Sequence, residues 1–329
     1  MAATTVANII VPEVYLQYLQ EETINKSALF RSGILEQNSA FNALVAGGGK
    51  TFNLPFWKDL GGNSEAIQSG TTLTVNNITT AKEIAVRLIR GKAWGSEDIA
   101  AELAGDDPMR AIAARQATWW AKDMQDSLVK SVTGMFADNI ANDSSDLVNN
   151  ISIADGVNAV DANKIGSGAV INTIALLGDM GDKVTAIAMH STPYWRLNEL
   201  NLIDFEPTNT QNIGWGTYLG KTVIVDDNLP KDAGGTSGFV YTSYLFTSGA
   251  VGYGEAPNKV PVETDRNILT GVETMVVRRN FFMAPRGFAF ISGSVANETP
   301  TNAELILAAN WNRVYNAKNC GIVALKTNA

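Results

Sequence analysis

Few side chains in this sequence could do covalent or acid–base chemistry: one cysteine, Cys320, one histidine, His190, and the adjacent acids Asp226 and Asp227. A single cysteine permits no internal disulfide, and no Cys/His zinc cluster can be assembled from such an inventory. Cys320 stands near the end of the chain in Asn319-Cys320-Gly321 and reads as a small buried or half-buried residue, not a nucleophile. His190 follows an apolar run and precedes Ser191-Thr192-Pro193, which makes it a strand-end or helix-start residue. A Ser-His-Asp triad would have to use it, yet no Gly-x-Ser-x-Gly elbow is present. Asp226-Asp227 follow Thr222-Val223-Ile224-Val225 and precede Asn228-Leu229-Pro230, so they read as a strand end running into an Asx-type turn. An α/β hydrolase or binding enzyme built on Asp226, Asp227 and His190 stays as an alternative. Gly47-Gly48-Gly49-Lys50-Thr51 imitates the end of a phosphate-binding loop, but Leu44 stands where that loop needs its first glycine. The Pro-containing run that follows, Phe52 to Trp57, reads as a strand.

These residues must be positioned by recognisable elements. Residues 12–30 carry Val14, Tyr15, Tyr18, Leu19 and Ile24 at helical spacing, a short amphipathic helix in an N-terminal arm. An outgoing strand is predicted over Thr51–Leu60, then a polar stretch from Gly61 to Thr72, then a returning strand from Ile78 to about Trp94. In the return, Ile84, Val86 and Leu88 alternate against Glu83 and Arg87. Such a two-stranded arm buries little by itself and needs a partner surface. Asp106-Asp107-Pro108 then supply a cap and a proline at the first helical position. Apolar residues recur from Met109 through Trp119, Trp120 and Phe136 to Ile140, which predicts a helix on the order of 50 Å long. The twin tryptophans read as core anchors against a sheet. Beyond about residue 155 helices and strands alternate: a helix near 171–179, strands at 184–189, 217–225 and 238–248, then strands at 273–282, 288–292 and 322–325.

The 329 residues fit about two domains. With 25 Lys and Arg against 33 Asp and Glu, the net charge is −8, and only 18% of residues are charged while 45% are hydrophobic. That composition supports a sizeable core and argues against a basic groove for nucleic acid. Much of the polar surface must be neutral, which suits burial against other chains. No basic leader precedes an apolar stretch, and no window reaches the length of a membrane span. No cofactor or metal is expected.

Several segments together resemble the major capsid proteins of tailed bacteriophages. They are Val11-Pro12-Glu13-Val14-Tyr15, Ser32-Gly33-Ile34, Leu54-Pro55-Phe56-Trp57-Lys58-Asp59-Leu60 and Gly91-Lys92-Ala93-Trp94-Gly95. Leu103 to Met109, Trp119-Trp120, Met189-His190-Ser191, Tyr218 to Asp227 and Arg278-Arg279-Asn280 continue the likeness in order over nearly the whole chain.

The resemblance implies an α+β fold of the Hong Kong 97 type. It would comprise an N-terminal arm (1–46), an extended β-hairpin E-loop (47–95), a P-domain with the spine helix (96–150), an α/β A-domain (151–259), and returning P-domain strands with the C-terminal segment (260–329). It implies pentamers and hexamers of an icosahedral head enclosing double-stranded DNA, assembled in the host cytoplasm and free of membrane. Trp57, Lys58, Asp59, Glu65 and Arg87 are the expected E-loop contacts to a neighbour, and Asp107, Pro108, Trp119, Trp120 and Phe136 the structural residues of the spine. Some relatives carry a fused scaffold that a protease removes; with the arm beginning almost at Met1, a separate scaffolding protein is expected here, with portal and decoration proteins as further partners. Some relatives join an E-loop lysine to a neighbour's asparagine. Lys50 and Lys58 lie in the loop, but nothing supplies the environment for that bond, and it is not expected. An encapsulin-like nanocompartment shell is the alternative with the same fold.

Overall fold

The computed structural model describes residues 32–58, 60, 62–67, 70, 72–203, 216–256 and 258–329. The helix expected over residues 12–30 lies outside them. In chain order the elements begin with β1 (Leu35–Gln37), α1 (Ser39–Ala46), β2 (Thr51–Trp57), β3 (Thr80–Val86), β4 (Leu88–Glu97), α2 (Asp98–Ala104) and α3 (Pro108–Asn142). Next come β5 (Val148–Asn150), α4 (Ser167–Ala175), β6 (Val184–Met189), α5 (Ser191–Glu199), β7 (Thr217–Tyr218), β8 (Lys221–Val225), β9 (Lys231–Ala233) and β10 (Phe239–Thr247). The chain closes with β11 (Val251–Ala256), β12 (Val262–Asn267), β13 (Val272–Pro285), β14 (Phe288–Phe290), α6 (Asn302–Leu305), β15 (Trp311–Arg313) and β16 (Ile322–Thr327).

Among the described residues the strands form three sheets. The first is organised by the 14-residue β13, which pairs with β4 along one edge and, in succession, with β12 and β11 along the other. The second has seven strands in the order β5-β16-β10-β6-β8-β7, with β9 also on β10. The third joins β15, β14, β3 and β2. The returning strand expected from Ile78 to Trp94 is thus two strands. It breaks at Arg87, and its halves enter different sheets. The final strand, β16, pairs with β10 in the seven-stranded sheet, because its Ile322–Leu325 run is buried on both faces and needs a central position.

Helix α3 has 35 residues and links the sheets. Asp107 caps it: its carboxylate accepts from the Met109 amide at 2.9 Å, and Pro108 occupies the first turn, where its missing N–H costs nothing. No residue from Thr118 to Asn139 is fully exposed. The half-buried Trp119, Lys122, Asp126, Lys130, Thr133 and Ala137 recur every three or four residues as one partly open stripe, and from Asp126 onward the other faces are buried. Near its start the helix packs on β13 and β4. Trp120 is buried with Met275 and Val277, and half-buried Trp119 stands edge-on between Trp94 and Trp120 at 5.2 and 5.0 Å. Phe136 lies flat on Tyr244 of β10 at 5.3 Å, on a different sheet from the tryptophans. A helix this long outruns one sheet and reaches the next. At Gly134 it passes so close to α6 that a Cβ would collide with the Leu305 carbonyl oxygen.

Candidate functional site

The hairpin formed by β2 and β3 is regular only at its root. Seven residue pairs run from Thr51–Val86 to Trp57–Thr80, and beyond them the described residues form no strand. The ladder is shorter than the predicted Thr51–Leu60 and Ile78 boundaries. Expected as a polar tip, the arm instead carries Leu60, Ile67, Leu73 and Val75 as exposed apolar side chains, with Val75 94% exposed. These four side chains lie where the described residues form no ladder of their own.

The expected contact residues fall into different surroundings. Trp57 is two-thirds exposed at the end of the ladder, and Lys58 beside it is exposed, its amide bonded to the Thr79 carbonyl at 2.9 Å. Asp59 lies outside the described residues. Glu65 faces its own arm, accepting from the Thr74 amide at 3.0 Å, and the Thr74 hydroxyl and amide hold its carboxyl below the usual range. Arg87 does not project at all. Its guanidinium bonds the Val45 carbonyl and lies 5.1 Å above the Phe52 ring, because the chain turns inward there to join β4.

Alternation placed Glu83 on the outer face; the structure buries it. Its carboxylate accepts from the Gly287 amide at 2.8 Å and faces the Arg286 guanidinium at 3.3 Å. These partners lie some two hundred residues away in sequence, so no local spacing could reveal them. Beside them a surface groove of about 760 Å³ opens, with Phe56, Trp57, Lys58, Lys183 and Tyr315 among its walls. Its lining contains no carboxylate, histidine or thiol.

The chemistry-bearing residues are all committed to structure. His190 caps α5, its Nδ1 accepting from the Thr192 amide at 3.2 Å. Asp227 comes within 3.6 Å of that nitrogen, but an acceptor nitrogen gives it no proton to hold, and its carboxylate takes the Ser191 amide at 3.1 Å. Burial lowers the imidazole's affinity for a proton, outweighing Asp227, which keeps the cap neutral. Asp226 forms the Asx turn with the Asn228 amide at 2.9 Å and accepts from Gln125. Cys320 is buried, and burial pushes its thiol up to about 12. Lys50 leaves the glycine corner to pair with Glu298 at 2.7 Å. Among the described residues no three or more His, Cys, Asp or Glu side chains group to hold a metal, and no helix is long and apolar enough to cross a membrane.

One long helix bridging sheets, with an arm its own subunit leaves uncovered, is the architecture of viral shell proteins of the Hong Kong 97 type. The capsid of cyanophage Pam1 matches over 90% of this chain and 88% of its own, with a TM-score of 0.58 at 13% identity. That of Ralstonia phage GP4 matches over 91% and 88% with the same score at 8% identity, and that of Helicobacter pylori bacteriophage KHP30 over 92% of both at 0.56 and 12%. The chain belongs to the Gp13-like family of major capsid proteins, whose sequence model, described as major capsid protein 13-like, matches residues 48–322. The major capsid protein of Bacillus phage SPP1 is 38% identical to it over 99% of this chain and 98% of its own length. The protein is thus a structural component of the phage capsid, assembling with copies of itself, and not an enzyme. The encapsulin-like and enzymatic alternatives give way to that assignment.

Proposed function

We propose that this chain forms the pentamers and hexamers of an icosahedral head that encloses double-stranded DNA, with the hairpin arm as the E-loop reaching onto a neighbouring subunit. Residues 1–46 serve as the N-terminal arm, 47–95 as the E-loop, 96–150 with 260–329 as the P-domain, and 151–259 as the A-domain. A separate scaffolding protein, a portal and decoration proteins are the partners of this scheme, and assembly takes place in the host cytoplasm. The DNA is confined by the wall and not gripped by a basic groove, in keeping with a net charge of −8.

The observation that carries the reading is the exposed apolar set Leu60, Ile67, Leu73 and Val75 on an arm whose own strands end at Trp57 and Thr80. Deleting Gly61 to Gly70 tests it. The shortened subunit should stay soluble and folded, by circular dichroism, while electron microscopy finds no closed shells. Normal particles from that variant would defeat the E-loop assignment.

A further inference from the structure

The hairpin root meets the body of the subunit through very little sheet. β3 joins β14 by a single parallel pair, Ala289 opposite Ile84. One pair cannot fix the direction of an arm more than twenty residues long, since a strand edge can pivot about it. The direction must come from side chains, and one is suited to it. Glu83, on β3, is only 4% exposed, and it is held by the turn that leads into β14. Gly287 in that turn gives its amide to Glu83, while its carbonyl accepts from the Val314 and Tyr315 amides at 2.8 and 3.2 Å. The turn admits only glycine in practice: φ is +86°, and a Cβ would meet Tyr315 at 3.0 Å and the Cys320 sulfur at 3.2 Å. Arg286, 3.3 Å from the same carboxylate, also reaches Glu36 at 3.2 Å, which ties the root to β1. The Tyr315 hydroxyl stands close enough to Glu83 and Arg286 to interact with both, and its ring stands edge-on to Phe56 of β2 at 4.7 Å. Both strands of the hairpin are therefore gripped from one point.

We infer that Glu83, with Arg286, Gly287 and Tyr315, is a clamp that sets the angle at which the arm leaves the subunit, and that it acts in shell assembly as a positioning residue without touching the neighbour. A buried carboxylate with a charged partner and a fixed amide donor is a directional restraint, which apolar packing is not. The inference rests on the arm being a contact to a second copy. The Gly61–Gly70 deletion tests that reading separately: if the deletion blocks shells while the clamp variants assemble normally, only the clamp falls.

Glu83→Gln is the decisive variant, because it keeps the volume and an acceptor for the Gly287 amide while removing the charge that faces Arg286. Hydrogen exchange on the unassembled full chain should speed up about tenfold or more in 51–57 and 80–86 while exchange in α3 stays unchanged, since the root opens locally and the core does not. Electron microscopy should show few closed shells, or shells of mixed diameter. Tyr315→Phe, which removes only the hydroxyl, should shift both readouts in the same direction and by less; it carries the test if Glu83→Gln does not fold. Wild-type shells with unchanged root exchange would overturn the clamp, and so would an equal rise of exchange in α3, which would make Glu83 an ordinary core residue.

Discussion

Helix α3 and the hairpin arm are both long and both carry apolar side chains, yet these meet opposite fates. From Thr118 to Asn139 no helix residue is fully exposed: Trp120 is buried on β13 and Phe136 stacks on β10 within the same chain. The arm exposes Leu60, Ile67, Leu73 and Val75 after its ladder stops. The helix is the part of the molecule that satisfies itself. The arm is the part that does not, and on the proposed E-loop reading its completion lies on the next subunit. Damage to the helix should therefore appear in the isolated subunit, and damage to the arm only in the shell.

The largest effect on the subunit is expected from Trp120→Ala, which empties a buried site between the helix and β13 and should cost about 3–5 kcal/mol, seen as a lower melting temperature and poor soluble yield. If its melting temperature stays put while shells vanish, the ring faces a neighbour and the contrast fails at that point. Gly134→Ala comes next. Its methyl group would collide with backbone, the Leu305 carbonyl, so helix and α6 must part, at a cost of about 1–3 kcal/mol; denaturant titration should show the midpoint falling. Val75→Asp should change the subunit least, within about 0.5 kcal/mol, as befits a fully exposed position. Its shell yield should nonetheless fall steeply by sedimentation. That split between unchanged stability and lost assembly is the sharpest form of the contrast.

How far the sequence discloses these features depends on how local their causes are. The spine helix is legible because its cap, proline and periodicity all lie within the helix. The capping role of His190 and the Asx turn at Asp226 are legible for the same reason. The break at Arg87 is not, since alternation runs on across it and only the two different sheets, one built on β13 and one on β14, distinguish its halves. β12 escapes detection because Val262–Asn267 is nearly all exposed and half of it is charged, with no apolar face to announce a strand. Glu83 is misread outright: a carboxylate in an alternating strand is assigned to solvent unless Arg286 and Gly287 are known to meet it. The arm's polar stretch hides its apolar side chains for a related reason, for Ile67, Leu73 and Val75 are scattered among Ser, Thr and Asn and show no period.

Hydrogen exchange of the arm, compared between unassembled subunits and closed shells, tests the central claim most directly. The account predicts that peptides within residues 58–79 exchange freely in the subunit and become protected by about two orders of magnitude or more in the shell, while α3 is protected in both. Equal exchange of the arm in the two states would contradict it, for the apolar arm would then have no partner in the particle it is held to build.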